Sequence, residues 1–150
     1  MWVEGDTVVL AAGHDRRGVG AGRVLVVAEE ELLGGSVATV LTVAGYAVVT
    51  ARSAREGRWA LRAYAFDCLI VDFRLPDVRG DLFYGLARLH QPRLLERTVF
   101  LTQDSGDKAL LLTTCSRRPV LCAPIEAGGL LTMVDRMVTV TNDELGRVGQ

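Results

Sequence analysis

Three side chains capable of chemistry stand at the ends of apolar runs. Glu29 follows Val24-Leu25-Val26-Val27-Ala28 and opens the acidic triplet Glu29-Glu30-Glu31; Asp72 follows Leu69-Ile70-Val71 directly; Thr102 closes Val99-Phe100-Leu101. If the first and third of the chain's strand-like runs lie side by side, Glu29 and Asp72 face one another, and their oxygens form a pair of hard donors suited to a divalent cation such as Mg2+. Each residue has a plainer use on its own. An Asp after a strand can cap the next loop, acids suit a helix N-terminus, and Thr is a good strand former. The weight rests on the combination: two acids and a hydroxyl at three strand ends along one sheet edge.

Such residues need a scaffold that gathers strand ends, and the rest of the chain supplies one. Runs rich in β-branched residues at 23–28, 46–51, 68–72, 98–102 and 119–122 are continuous in their apolar character, which marks strands buried on both faces. Between them lie segments of helical period at about 30–44, 54–65, 81–90, 105–115 and 126–138. Five βα units with right-handed crossovers build an α/β fold, an open, doubly wound five-stranded parallel sheet whose functional crevice lies at the carboxyl ends of its strands. Leu25, Val27, Leu69, Val71, Val99 and Leu101 are the expected core. Ser53 is placed to cap the second helix with Glu56 reaching back, and Gly45 to close the first. Gly34-Gly35 inside the first helix costs about 1 kcal/mol per glycine relative to alanine, which predicts a frayed, displaced or late-starting helix.

By length the 150 residues form one domain, and 49% hydrophobic with 23% charged residues is a globular composition. No apolar run reaches the roughly 18 residues of a membrane span and no secretory signal pattern opens the chain, so a cytoplasmic protein without membrane contact is expected. A net charge of -1 provides no overall basic field, which argues against direct nucleic-acid binding. No GxSxG or Walker pattern is present, and His14 and His90 lie far in sequence from the strand ends, which argues against an enzyme. Cys68, Cys115 and Cys122 lack CxxC spacing and read as small buried hydrophobes. Lys108, the sole lysine, reads as a surface residue. Residues 1–22 form an N-terminal arm, in which Gly18-Val19-Gly20-Ala21-Gly22 precedes a strand where a phosphate loop would follow one, so it reads as a linker. The domain proper spans 23–139, and 140–150 is a polar, disordered tail.

From about Arg23 to Val138 the chain resembles a response-regulator receiver domain of two-component signalling. Val24-Leu25-Val26-Val27-Ala28-Glu29-Glu30 is similar to that family's first strand with its acidic pair, and Gly45-Tyr46-Ala47-Val48-Val49-Thr50-Ala51 to its second. Asp67-Cys68-Leu69-Ile70-Val71-Asp72-Phe73-Arg74-Leu75-Pro76-Asp77-Val78-Arg79-Gly80 is similar to the phosphoacceptor strand and the loop after it. Val99-Phe100-Leu101-Thr102 and Pro119-Val120-Leu121-Cys122-Ala123-Pro124 are similar to the last two strands. The resemblance implies a flavodoxin-like (βα)5 topology with Asp72 as phosphoacceptor for a histidine kinase. It also implies Mg2+ held by Glu29, Asp72 and the backbone carbonyl of Arg74, with Thr102 hydrogen-bonded to the phosphoryl oxygen. In that chemistry a metal neutralises charge on the transferring group while the protein positions it.

Three positions depart from the family pattern. Ala28 replaces the first acid of the pair, Ala123 stands where the family has a lysine that pairs with the phosphoryl group, and Val120 replaces an aromatic switch residue. Glu29 is also one methylene longer than the usual aspartate, and Mg2+ is intolerant of poor octahedral geometry. The expectation is therefore a degenerate receiver that binds Mg2+ weakly or not at all. Its phosphorylation at Asp72 would be inefficient or absent, and it would act through contact with a histidine kinase, a phosphotransfer protein or another signalling protein, with a homodimer allowed. The alternative is a functional Mg2+-dependent receiver phosphorylated at Asp72.

Overall fold

The computed structural model describes residues 9–10, 22–104, 106–107 and 118–148. Its elements in chain order are β1 (Val9–Leu10), β2 (Arg23–Val27), α1 (Glu31–Val43), β3 (Ala47–Ala51), α2 (Ala54–Ala63), β4 (Cys68–Asp72), α3 (Gly80–His90), a 3-10 turn (Pro92–Glu96), β5 (Thr98–Thr102), β6 (Val120–Cys122) and α4 (Ala127–Val148). The sheet order is β1-β3-β2-β4-β5-β6, and β2 to β6 are parallel as expected. A sixth, antiparallel strand is added by the N-terminal arm, whose Val9 and Leu10 pair with Thr50 and Val49 on the β3 edge. The expected helix over 105–115 lies outside the described residues apart from Gly106 and Asp107, which are helical, and so do Lys108, Cys115, His14 and most of the glycine-rich arm.

Both faces of the sheet are buried, which is why its strands read as unbroken apolar runs. Leu25, Val27, Leu69, Val71 and Phe100 point to one side and pack with Phe66, Phe83, Tyr84 and Ala87. Val24, Val26, Ile70, Val99 and Leu101 point to the other and meet Val37 and Leu41 of α1 and Leu130, Val134 and Val138 of α4. All six residues expected in the core are fully buried.

The first helix spans both of its glycines, against the expectation of fraying. Gly34 is buried, and a Cβ built there would sit 3.5 Å from that of Ala28, so the small residue seats α1 close to the end of β2. Gly45 closes the helix at φ 107, as expected, with its amide bonded to the Thr42 carbonyl and that of Tyr46 to the Leu41 carbonyl. The last helix departs from the sequence reading. It runs to Val148, so the polar stretch from Thr141 is helical backbone where a disordered tail was expected; no proline interrupts it. Among the described residues no helix is long and apolar enough to cross a membrane. Cys68 is buried, which pushes its thiol up to about 12, and Cys122 is half-buried; both are free.

The start of α2 is held from two directions. Ser53 Oγ accepts from the Glu56 amide at 3.1 Å, while Glu56 Oε1 accepts from the Arg52 amide at 2.8 Å, one residue earlier than a capping box reaches. Asp77, far along the chain, accepts from the amides of Ala54 and Arg55, both at 2.9 Å. Burial opposes its ionisation, but these amide bonds prevail and hold the Asp77 carboxyl below its ordinary range. Asp77→Ala is expected to cost about 1–2 kcal/mol of stability at neutral pH. Because the carboxyl is depressed, the difference from wild type should close as the pH falls below about 4, a trend that urea unfolding at several pH values reads directly.

Candidate functional site

Parallel pairing brings the ends of β2, β4 and β5 to one edge of the sheet. The β2–β4 register runs from Val24 opposite Cys68 to Val27 opposite Val71, so Ala28 and Glu29 emerge beside Asp72. Asp72 is opposite Leu101 in β5, and Thr102 is the next residue. The structure thus gathers the three sequence-predicted positions, but in unequal surroundings. Asp72 is 5% exposed and Thr102 buried, whereas Glu29 is exposed.

Burial pushes the Asp72 carboxyl up to about 6, against a counteracting hydrogen bond from the Arg74 amide to Oδ1 at 3.2 Å. Three acids push it the same way as burial: Glu30, Asp107 and Glu29, in that order of effect. Glu30 and Asp107 were not singled out by sequence. Glu30 was visible only as one member of the acidic triplet, and Asp107 fell in a predicted helix with no local signal. Gln103 Nε2 donates to Glu30 Oε1 at 3.1 Å, which joins the residue after Thr102 to the loop after β2 across the mouth of the site.

The Thr102 hydroxyl is engaged with Asp104, accepting from its amide at 3.1 Å and donating to its carbonyl at 3.2 Å. Its proton is thus given to the Asp104 carbonyl. The guanidinium of Arg74 grips Asp107 with two bonds, Nε to Oδ2 at 2.6 Å and Nη2 to Oδ1 at 2.9 Å. Its side chain is otherwise exposed, so the only arginine two residues from Asp72 is committed to another carboxylate. Ala123 directly follows β6, half-buried and uncharged, its amide donates to the Thr102 carbonyl at 2.7 Å, and the bond to Pro124 is cis. Val120 lies opposite Phe100 and packs on the core.

Oxygen donors of the kind Mg2+ prefers are present in Asp72, Glu29 and Glu30. Their arrangement does not make a cage: among the described residues no three His, Cys, Asp or Glu side chains stand close enough to hold a metal ion. Ala28, directly after β2, contributes no donor.

Backbone crowding fixes the floor of the site. Gly80 opens α3, and its amide donates to the Phe73 carbonyl at 2.6 Å. A Cβ there would fall 2.2 Å from the Asp72 carbonyl oxygen and 3.0 Å from Phe73 Cα. Arg74 and Arg79 form an isolated bridge that folds the loop between β4 and α3 back on itself.

No family model matches the chain, and no curated protein does. Solved structures do match. The signal receiver domain of an HD domain-containing protein from Pseudomonas fluorescens Pf-5 aligns with a TM-score of 0.74 at 21% identity, covering 91% of this chain and 98% of that one. A CheY-like response regulator receiver domain protein from Methanospirillum hungatei JF-1 aligns with a TM-score of 0.72 at 21% identity, covering 81% and 97%. The beryllofluoride-activated NtrC4 receiver domain dimer aligns with a TM-score of 0.67 at 24% identity, covering 78% and 96%. With Asp72 at the end of the central strand of its parallel sheet, this chain has the fold of response-regulator receiver domains.

Proposed function

We propose that the chain is a receiver-like signalling domain in which Asp72 occupies the phosphoacceptor position, with phosphorylation inefficient or absent, and which acts by binding other signalling proteins in the cytoplasm. A histidine kinase or a phosphotransfer protein is the partner class that the resemblance favours, and a receiver dimer among the structural neighbours makes self-association an accompanying expectation. The domain catalyses no reaction of its own in this reading. One observation carries it: the charges that act most on Asp72 are all negative, and the nearby Arg74 guanidinium is held by Asp107. A phosphoryl group on Asp72 would add negative charge beside these carboxylates. In this reading Glu29, Asp72 and the Arg74 carbonyl are the donor set for any weakly bound Mg2+, and Thr102 is the hydroxyl that would meet the phosphoryl oxygen.

The test is phosphoryl occupancy of Asp72, read by intact mass after incubation with acetyl phosphate and Mg2+. The native chain should label at least about tenfold less than the Ala28→Asp/Ala123→Lys double variant, since a charge-assisted hydrogen bond is worth roughly 1.5–3 kcal/mol. Asp72→Asn is the blank. Equal labelling of native and double variant would instead establish the alternative, a working phosphoacceptor. No labelling of either, with the fold intact, would remove Asp72 from the phosphoacceptor role.

A further inference from the structure

Helix α2 carries a surface that the Asp72 site does not use. Ala54, Gly57, Ala60 and Leu61 bury one side of it. The opposite side presents Arg55, Arg58, Trp59 and Arg62, all exposed, with Trp59 42% accessible. At about 100° per residue these four fall within one arc of roughly 100°, a stripe about 10 Å long. Arg52 stands just ahead of it; its Nε donates to the Glu29 carbonyl, which leaves its charge unneutralised.

Inside the domain this stripe is a cost. Among the described residues Arg55, Arg58 and Arg62 form no ion pair. Arginines three and four positions apart repel one another, and Arg55 in the first turn opposes the helix dipole. Of the acids nearby, Glu56 accepts from the Arg52 amide and Asp77 from the amides of Ala54 and Arg55. The helix is also fixed in place. A Cβ on Gly57 would come within 2.6 Å of Phe83 Cζ, so α2 is seated directly on α3 and presents its outer face rigidly. A rigid surface loses little freedom on binding.

We propose that this α2 face docks an acidic segment of a partner protein, one whose carboxylates repeat along an edge and flank an apolar side chain that packs on the exposed part of Trp59. Arginine and tryptophan are the residue types that concentrate binding energy at protein interfaces, and guanidinium takes carboxylate in paired hydrogen bonds. The surroundings disfavour a polynucleotide. The stripe is only three arginines wide along one line, and the exposed acids Glu29, Glu30 and Glu31 lie beside its leading end, past Arg52. A lipid surface is disfavoured as well, because Trp59 is the single large apolar group on the face. The surface is separate from Asp72 and stands whichever way phosphoryl labelling falls.

The experiment uses the full chain with Trp2→Phe, so that Trp59 is the sole tryptophan. The probes are a short synthetic peptide with glutamates at i, i+3 and i+7 around one leucine, a scrambled peptide of the same composition, and a single-stranded oligonucleotide of equal charge. Trp59 fluorescence reports occupancy, and amide chemical shifts locate it. The patterned peptide should saturate, shift α2 amides and bind more tightly than the scrambled one. The triple variant Arg55→Gln/Arg58→Gln/Arg62→Gln and, separately, Trp59→Ala should each weaken it about tenfold or more. Arg136→Gln, exposed on α4 at the other face of the sheet, should leave it unchanged. Absence of saturable binding, undiminished binding to the triple variant, shifts centred away from α2, equal binding of the scrambled peptide, or tighter binding of the oligonucleotide would each overturn the proposal.

Discussion

Replacing Gly80 by alanine is expected to lower the unfolding free energy by about 3 kcal/mol, the upper range for forcing atoms into a packed site. The added methyl carbon would lie 2.2 Å from the Asp72 carbonyl oxygen, and its other close neighbours are backbone as well, which cannot swing aside as a side chain would. Relief requires the start of α3 to move away from the end of β4, and the bond from the Gly80 amide to the Phe73 carbonyl goes with it. Gly85 in the same helix is the matched control. Nothing lies within 4 Å of a Cβ built there, so Gly85→Ala should stabilise the protein by about 0.5–1 kcal/mol through helix propensity alone. Urea midpoints at unchanged m-value would report both effects. A Gly80→Ala protein as stable as wild type would mean that the loop beneath Asp72 is free to shift.

Asp72→Asn is expected to stabilise the domain at neutral pH while removing the side chain on which the proposed chemistry depends. The Asp72 carboxyl is raised from 3.8 to about 6 by burial first, then by Glu30, Asp107 and Glu29. A raised carboxyl means that the folded state holds its proton more tightly than the unfolded chain. Its contribution is therefore fully favourable below about pH 4, declines as the pH rises, and is lost above about 6. Asparagine has nearly the same shape, can still accept from the Arg74 amide, and carries no charge into the buried site. The gain at neutral pH should be about 1–2 kcal/mol, the full conversion of the shift being reduced for solvent screening at the open edge of the site. Measured across pH, the advantage of the variant should shrink toward zero near pH 4. Equal stability at neutral pH, or an advantage that grows on acidification, would contradict the electrostatic account of this site.

Much of this architecture is legible without coordinates because the signals behind it are local and strong. A strand buried on both faces must be apolar along its whole length, so Val24–Val27, Leu69–Val71 and Val99–Leu101 announce themselves, and the residue after each run falls at the sheet edge. Ser53 and Gly45 are readable for the same reason, since a cap serves a helix end within a few residues of itself. Ala28, Val120 and Ala123 are matters of residue identity, and identity needs no fold to be seen.

What only tertiary structure decided are the contacts between loops. Asp77 caps a helix that starts 23 residues earlier in the chain, and Gln91 joins the carbonyls of Leu61 and Tyr64 to the amide of Phe66. Arg74 turns to Asp107, 33 residues away, and Glu30 to Gln103. Each such bond contributes roughly 1 kcal/mol and depends on where two loops meet, so no periodicity in the sequence records it. The glycines behave likewise: Gly34 looked like a break in α1 and is a seat against Ala28, because whether a missing side chain weakens a helix or lets it approach a strand is settled by the neighbour across the gap. Composition and period determined the sheet and the place of Asp72 on it; the charges that surround Asp72, and the arginine stripe that α2 leaves exposed, were decided by the packing that brings distant segments together.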